Sequence, residues 1–263
     1  MEETVYWSRE GSVATITLNR PAQFNVMNTE LSAGLRKALM ECWDDDEVRA
    51  IILTGNGKAF SGGGDIKFFI EELGQQRIVP SVEKMMPILH AAIAMVREIP
   101  KPVIAALNGV AAGGGFGLAL ACDFRIASPK VSLLTAFLGI GASPDSSSTF
   151  FLPRHVGLAK ATEMFLRNKP VSAEEALNLG LVTAVVEPDN VMDEAKKLAE
   201  ELAQGPTAAF GRTKLLLNQS LGSSLHEQLH SEARSITVSM GTPDFAEGIK
   251  AFVGKRKANF KGK

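Results

Sequence analysis

The chain has 263 residues, 45% hydrophobic and 22% charged, which supplies a substantial core for one α/β domain and excludes a disordered chain. Its formal net charge is -1, with Lys and Arg scattered. No basic stripe for nucleic acid is present, although a local basic patch for an anionic ligand stays open.

Cys42 and Cys122 lie in apolar runs without CxxC spacing and read as reduced core thiols. Of the four histidines (His90, His155, His226, His230), only His226 and His230 form a helical pair. They flank Glu227 on what reads as an exposed face, so no metal is expected. The N-terminal MEETVYWSRE is too acidic and polar for a signal peptide, and no apolar run reaches the ~18 residues of a membrane span. A cytoplasmic protein is expected, or an organelle-lumen protein after removal of a targeting peptide.

In chain order, Thr4 to Trp7 and Val13 to Leu18 are β-branched and aromatic runs around Glu10-Gly11-Ser12, which predicts a hairpin. Asn28 and Thr29 are N-caps for a helix with Leu31, Leu35, Leu39 and Trp43 on one face. Ala50 to Thr54 is a buried strand. A helix follows near Val82 to Arg97, with Met85, Met86, Leu89, Ile93 and Val96 at helical spacing, and Val103 to Leu107 is the next buried strand. Asp123 to Ala127 and Val131 to Leu134 read as strands. From Ser146 the pattern is mostly helical, with a late strand over Gly180 to Val186 and an amphipathic helix from Phe245 that runs into a basic end.

Three segments carry candidate chemistry. Gly62-Gly63-Gly64 follows a buried strand and precedes Asp65, which begins a helix. Gly113-Gly114-Gly115 follows Val103 to Leu107 and opens an apolar helix. Glycines bare the backbone N–H groups, and the first-turn N–H groups of a helix are unpaired, so one donor from each loop can hold a developing oxyanion. Two tightly packed turns explain the glycines equally well. A dinucleotide site does not, since GxGxxG requires glycine where Leu118 stands, and no GxxxxGK[ST] occurs. The third segment is Leu138 to Thr149, where Asp145 lies among small and apolar residues. Desolvation there would raise its pKa and suit it to accept a proton from carbon. Asp before Ser-Ser-Ser-Thr fits a helix N-cap as well, and spacing alone leaves both roles open.

Leu18-Asn19-Arg20-Pro21, Lys58-Ala59-Phe60 with Gly62 to Lys67, Lys101 to Gly109 through Gly115, Ala121-Cys122-Asp123 and Phe252 to Phe260 together resemble the crotonase superfamily, the enoyl-CoA hydratase/isomerase family, nearly end to end. The resemblance implies an α/β spiral of repeated ββα units, in one domain over 1–263. The spiral core would span about 1–200 and a helical trimerisation region about 201–263. It implies an acyl-CoA substrate, with CoA arriving as part of the thioester, no further cofactor, and assembly as a homotrimer or hexamer. By position, the oxyanion donors would be Gly64 and Gly114, the catalytic residue Asp145, and the CoA site Ala22, Phe24, Gly62, Gly63, Asp65 and Ile66. The basic tail would meet CoA phosphates, often in a neighbouring subunit.

Departures within the family bear on the reaction. Hydratases place glutamates where Gly117 and Phe137 stand. Pro144-Asp145 instead resembles the position where several isomerases carry their acid, including the ring-rearranging isomerase of phenylacetate degradation. This favours an isomerase that converts 3-enoyl-CoA to 2-enoyl-CoA, with Asp145 as proton shuttle. A 4-chlorobenzoyl-CoA dehalogenase also carries Asp here, as a nucleophile, but with tryptophan at Phe137 and a histidine near Ala94; His90, one helical turn away, is no obvious substitute. The remaining alternatives are an unusual hydratase and a non-catalytic acyl-CoA-binding scaffold. Phe68, Phe69, Met86, Leu89, Leu134 and Phe137 are pocket or core candidates.

Overall fold

A computed structural model describes residues 3–263, so the first two residues of the acidic N-terminal stretch lie outside the described part. The predicted hairpin forms from β1 (Val5–Glu10) and β2 (Val13–Leu18), antiparallel, with Gly11 at φ +58 in its turn. α1 (Thr29–Asp44) starts where predicted, the Asn28 side chain accepting from the Leu31 N–H at 2.9 Å. Its face Leu31, Leu35 and Leu39 is fully buried, each side chain contributing about 1.5–3 kcal/mol.

The chain then alternates between two sheets. β3 (Ala50–Gly55) enters the first and β4 (Ala59–Ser61) the second, followed by α2 (Ile66–Gly74) and α3 (Ile78–Glu98). β5 (Val103–Leu107) and β6 (Val110–Ala112) repeat this before α4 (Gly114–Ala121). β7 (Phe124–Ala127) and β8 (Ser132–Leu134) repeat it before α5 (Ser148–Arg167). These are the ββα units of the expected spiral. β9 (Val171–Ser172), α6 (Ala173–Asn178) and β10 (Ala184–Val185) complete it, the late strand being shorter than predicted. The first sheet has the order β1-β2-β3-β5-β7-β10, parallel from β2 onward; the second is β4-β6-β8-β9.

Strand alternation divides the core. Ile16, Ile51, Leu53, Val103 and Ala105 face the side of α1 and α3, where Leu35, Leu89 and Ile93 join them. Val13, Ala50, Ile52, Ile104 and Ala106 face the other side, against Ala195 and Ala199 of α7 (Val191–Ala203). α3 is long and apolar enough by length and composition to cross a membrane, but Met85, Leu89, Ala92, Ile93 and Val96 place one face in this core. Cys42 and Cys122 are buried and free, and burial pushes both thiols up to about 12.

α8 (Thr207–Ser220), α9 (Leu225–Met240) and α10 (Pro243–Val253) form the helical C-terminal region. No residue of α9 is buried, and His226 and His230 lie exposed on it. The basic end is held by the rest of its own chain. Asp244 accepts from the Lys261 and Gly262 N–H groups at 2.6 and 2.7 Å, and Arg49 donates to the Phe260 carbonyl at 3.1 Å.

Candidate active site

The glycine triplets meet because their strands pair. Each follows a short strand of the second sheet, β4 or β6, and not the long buried strand to which the sequence attached it. β4 and β6 are parallel neighbours, so residues 62–64 and 113–115 leave the same end of one sheet. A Cβ on Gly63 would come 2.7 Å from the Ala112 carbonyl oxygen and 3.5 Å from Gly113 Cα, and both glycines have positive φ, +92 and +50. At Gly63 only a residue without a Cβ allows this backbone-to-backbone contact; at Gly113 the glycine serves the positive φ.

The two loops are less alike than their sequences. Gly114 is the first residue of α4, where an N–H has no intrahelical acceptor. Gly64 precedes Asp65, the N-cap of α2, and is therefore a loop donor outside the helix's first turn. Its neighbours are already engaged: Gly62 N–H donates to Phe24 O at 2.8 Å, Gly63 N–H to Ser61 Oγ at 3.3 Å, and Asp65 N–H to Met27 O at 3.2 Å. Among the described residues, the N–H groups of Gly64 and Gly114 have no acceptor.

The segment that carries Asp145 packs on the second glycine loop through Ser146. Ser146 Oγ lies 2.8 Å from where a Gly114 Cβ would be, and the Ser146 carbonyl oxygen lies 2.1 Å from the corresponding point on Gly117. The segment 145–147 thus packs on the first turn of α4, against Gly114 and Gly117. Ser146 and Ser147 both have left-handed backbones, φ 52 and 63, a costly pair for residues other than glycine and a local strain of the kind that concentrates at functional sites.

The capping role that spacing left open for the Asp145 side chain is not adopted. Ser147 occupies the N-cap position of α5 without a side-chain cap, and it is the Asp145 backbone carbonyl that accepts from Ser148 N (3.0 Å) and Oγ (2.6 Å). The Asp145 carboxylate accepts instead from Ser146 Oγ at 2.7 Å and is half-buried, less enclosed than its apolar sequence context implied.

Ala22, Phe24 and Ile66 are exposed, Gly62 is half-buried and Gly63 buried. Asp65 is buried, its carboxylate taken by Arg20 Nη2 at 2.9 Å and by the Lys67 and Phe68 N–H groups of the α2 cap. Its N–H and carbonyl are engaged as well, with Met27 O at 3.2 Å and the Phe69 N–H at 3.0 Å. The Phe69 ring comes within 2.9 Å of a Cβ built on Gly64, so this aromatic covers the first loop.

Beside Asp145 opens a cavity of about 760 Å³ between α3, the start of α5 and α8, with His90, Ile93, Ala94, Arg97, Phe151 and Asn218 among its walls. It does not include Phe68, Phe69, Met86, Leu89, Leu134 or Phe137; Leu89 is core, and the others are half-buried elsewhere. His90, which the sequence gave little reason to select, faces the same cavity as Asp145. Its phase with Ile93, Ala94 and Arg97, at i, i+3, i+4 and i+7, was the available signal. Ser146 had none, since successive left-handed serines leave no mark in a sequence.

The enoyl-CoA hydratase/isomerase family model matches residues 8–263. The chain is 36% identical to the 1,2-epoxyphenylacetyl-CoA isomerase of Escherichia coli (strain K12), over the whole of both chains. It is 35% identical to 4-chlorobenzoyl coenzyme A dehalogenase-2 of Arthrobacter sp, covering 92% of this chain and 88% of the relative. A crystal structure of an enoyl-CoA hydratase from Polaromonas sp. JS666 superposes with a TM-score of 0.92 at 31% identity, covering 97% and 99% of the two chains. The chain belongs to the enoyl-CoA hydratase/isomerase family, the crotonase superfamily, and is an enzyme of that class. These relatives carry three different reactions on one fold, so the reaction has to be argued from the site.

Proposed function

We propose that the protein isomerises a 3-enoyl-CoA to the 2-enoyl-CoA. The thioester oxygen lies between the Gly64 and Gly114 N–H groups. The Asp145 carboxylate takes a proton from C2, the electron pair delocalises onto that oxygen as a dienolate, and Asp145 returns the proton at C4 as the double bond moves into conjugation. Two fixed donors stabilise the charge where it develops; loss of one such donor costs about 3–4 kcal/mol in comparable sites. One carboxylate suffices because the proton is relayed and no water is consumed.

The observation that carries this reading is the packing of Ser146 on Gly114 and Gly117. It supports Asp145 as the acid near Gly114, and it fills, with a backbone carbonyl, the space a hydratase-type glutamate at Gly117 would need. The CoA moiety is assigned to the exposed rim of Ala22, Phe24 and Ile66, with the backbone of residues 62–65. A trimer, or a pair of trimers, is assigned to the uncovered helices α8 to α10.

Asp145→Asn tests the assignment. Isomerisation of 3-hexenoyl-CoA, followed as conjugated thioester absorbance, falls by at least about 10²-fold while affinity for a saturated acyl-CoA is kept. Turnover within a few-fold of wild type would remove Asp145 from the reaction.

A second reading is favoured by His90 and Asp145 sharing one cavity. Asp145 would attack an aryl-CoA ring carbon and expel halide, and water activated by His90 would hydrolyse the aryl ester. Chloride release from 4-chlorobenzoyl-CoA, with no conversion of the 3-enoyl thioester, would select it.

A further inference from the structure

Ser61 ends β4 and is fully buried, and it is not among the walls of the cavity beside Asp145. A buried hydroxyl is costly unless it is paired. This one is paired with the first glycine loop and with the segment that frames it. Ser61 Oγ donates to the Asn25 carbonyl at 2.8 Å and accepts from the Gly63 N–H at 3.3 Å.

Asn25 is a fixed point for that bridge. It is fully buried; its Nδ2 donates to the Asn56 and Ala59 carbonyls at 2.9 and 2.8 Å, and its Oδ1 accepts from the Arg20 N–H at 2.8 Å. Segment 24–27 then holds the first loop on both sides of Gly64. Met27 N–H donates to Gly63 O at 2.6 Å, and Met27 O accepts from Asp65 N–H at 3.2 Å. The Gly63–Gly64 peptide is trans, so its C=O and N–H point in opposite directions. With Gly63 O turned toward Met27, the Gly64 N–H in the same plane points away from segment 24–27. The preceding plane carries the Gly63 N–H and is tied to Ser61. The aim of the Gly64 donor is therefore set by two adjoining peptides, one held by Met27 and the other by Ser61.

Ser61 meets the second loop as well. A Cβ on Gly115 would fall 2.5 Å from Ser61 O, 2.7 Å from Ser61 Cβ and 2.8 Å from Ser61 Oγ. The first turn of α4, which begins at Gly114, thus rests on Ser61 with no side chain between. Alanine would fill nearly the same space, but it would leave the Gly63 N–H and the Asn25 carbonyl without this partner.

We propose that Ser61 is a positioning residue: its hydroxyl, bridging Asn25 and Gly63 against the face of Gly115, sets the aim of the Gly64 N–H relative to the Gly114 N–H. The proposal rests on the assignment of these two N–H groups as the thioester-oxygen donors, whichever reaction follows.

Infrared spectra of hexanoyl-CoA, labelled with carbon-13 at the thioester carbonyl and bound to the full chain, test it, because hydrogen bonds to a carbonyl lower its stretching frequency. The ligand is saturated, so no turnover is needed. In wild type the band lies below that of free hexanoyl-CoA, and in Ser61→Ala it returns toward the free value. There kcat for 3-hexenoyl-CoA falls about tenfold with KM within about twofold, short of the roughly 10²–10³-fold that loss of a whole donor costs. Ser61→Cys, which keeps a weak donor and acceptor, lies between the two proteins. A Ser61 that serves only the packing of β4 lowers the urea midpoint of Ser61→Ala and leaves the band and kcat unmoved, and that result overturns the proposal. If Ser61→Ala does not fold, Ser61→Cys decides in its place, an unmoved band again overturning it. A wild-type band at the free-ligand position removes the donor assignment and this proposal with it. A shift that Ser61→Ala reverses, in a protein that does not convert 3-hexenoyl-CoA, overturns the isomerase reading and leaves this one standing.

Discussion

Gly117→Ala is the most direct test of how the site is assembled. A Cβ there falls 2.1 Å from the Ser146 carbonyl oxygen, 3.0 Å from its carbon and 3.1 Å from Ser146 Cβ, contacts no rotamer change relieves. An ordinary contact requires the 145–147 segment to retreat by about 1 Å, and a displacement of that size at a reacting group costs on the order of 10²-fold in rate. Overpacking costs about 1–3 kcal/mol, offset by up to about 1 kcal/mol of improved helix propensity inside α4, so the fold survives with a modest loss. The assay is kcat/KM for 3-hexenoyl-CoA alongside urea unfolding, with Gly74→Ala as control, since nothing lies within 4 Å of a Cβ at Gly74. Gly74→Ala keeps wild-type turnover. A Gly117→Ala protein with wild-type kcat/KM and stability would refute the claim that Ser146 packing on α4 sets the position of Asp145. The same contact predicts that Gly117→Glu does not create a hydratase in this loop conformation.

Further outcomes follow from other parts of the structure. Gly114→Pro removes the proposed donor at the first position of α4, where proline suits the helix backbone. Its turnover falls by about 10²–10³-fold with helical circular dichroism retained, and normal kcat in the folded variant would end the donor assignment. Because any Cβ there comes 2.8 Å from Ser146 Oγ, Gly114→Ala, which keeps the N–H, is the control and retains more turnover than the proline variant. Burial, with Arg125 adding to it, lowers His155 to about 4. The unfolded chain therefore binds more protons than the folded one between that value and about 6.5, and stability is full above about pH 6.5 and lost as pH falls toward 4, by up to about 3 kcal/mol. Urea midpoints for wild type and His155→Gln at about pH 7 and about pH 4.5 check this, an equal loss in both proteins counting against it. Leu229 and Ile236 are both 50% exposed on a helix with no buried residue, so Leu229→Glu with Ile236→Glu converts a trimer to monomers by light scattering. A monomeric wild type would contradict that assembly.

Much of the fold was legible because it depends on local signals. The Gly11 turn, the Asn28 cap with Leu31, Leu35 and Leu39, and the uniformly apolar runs Ala50 to Thr54 and Val103 to Leu107 each state their structure within a few residues, and the glycine triplets marked both loops. β4 and β6 were absorbed into those loops, because a three-residue strand has no periodicity of its own and exists only through its partner. The Asp145 side chain was poised between cap and acid for a related reason: both roles use the same residue before the same serines. That the side chain does not cap α5 goes with the left-handed turn at Ser146 and Ser147 and the close fit of Ser146 to Gly114 and Gly117, contacts between segments some thirty residues apart. Likewise His90 and Arg97 read as polar punctuation of an apolar helix until α8 and the start of α5 close the cavity around them. Sequence by itself determined the family and the longer elements, since propensity, capping and patterning act over a few residues. Tertiary structure alone decided which groups share the site, because that depends on distances between residues far apart along the chain.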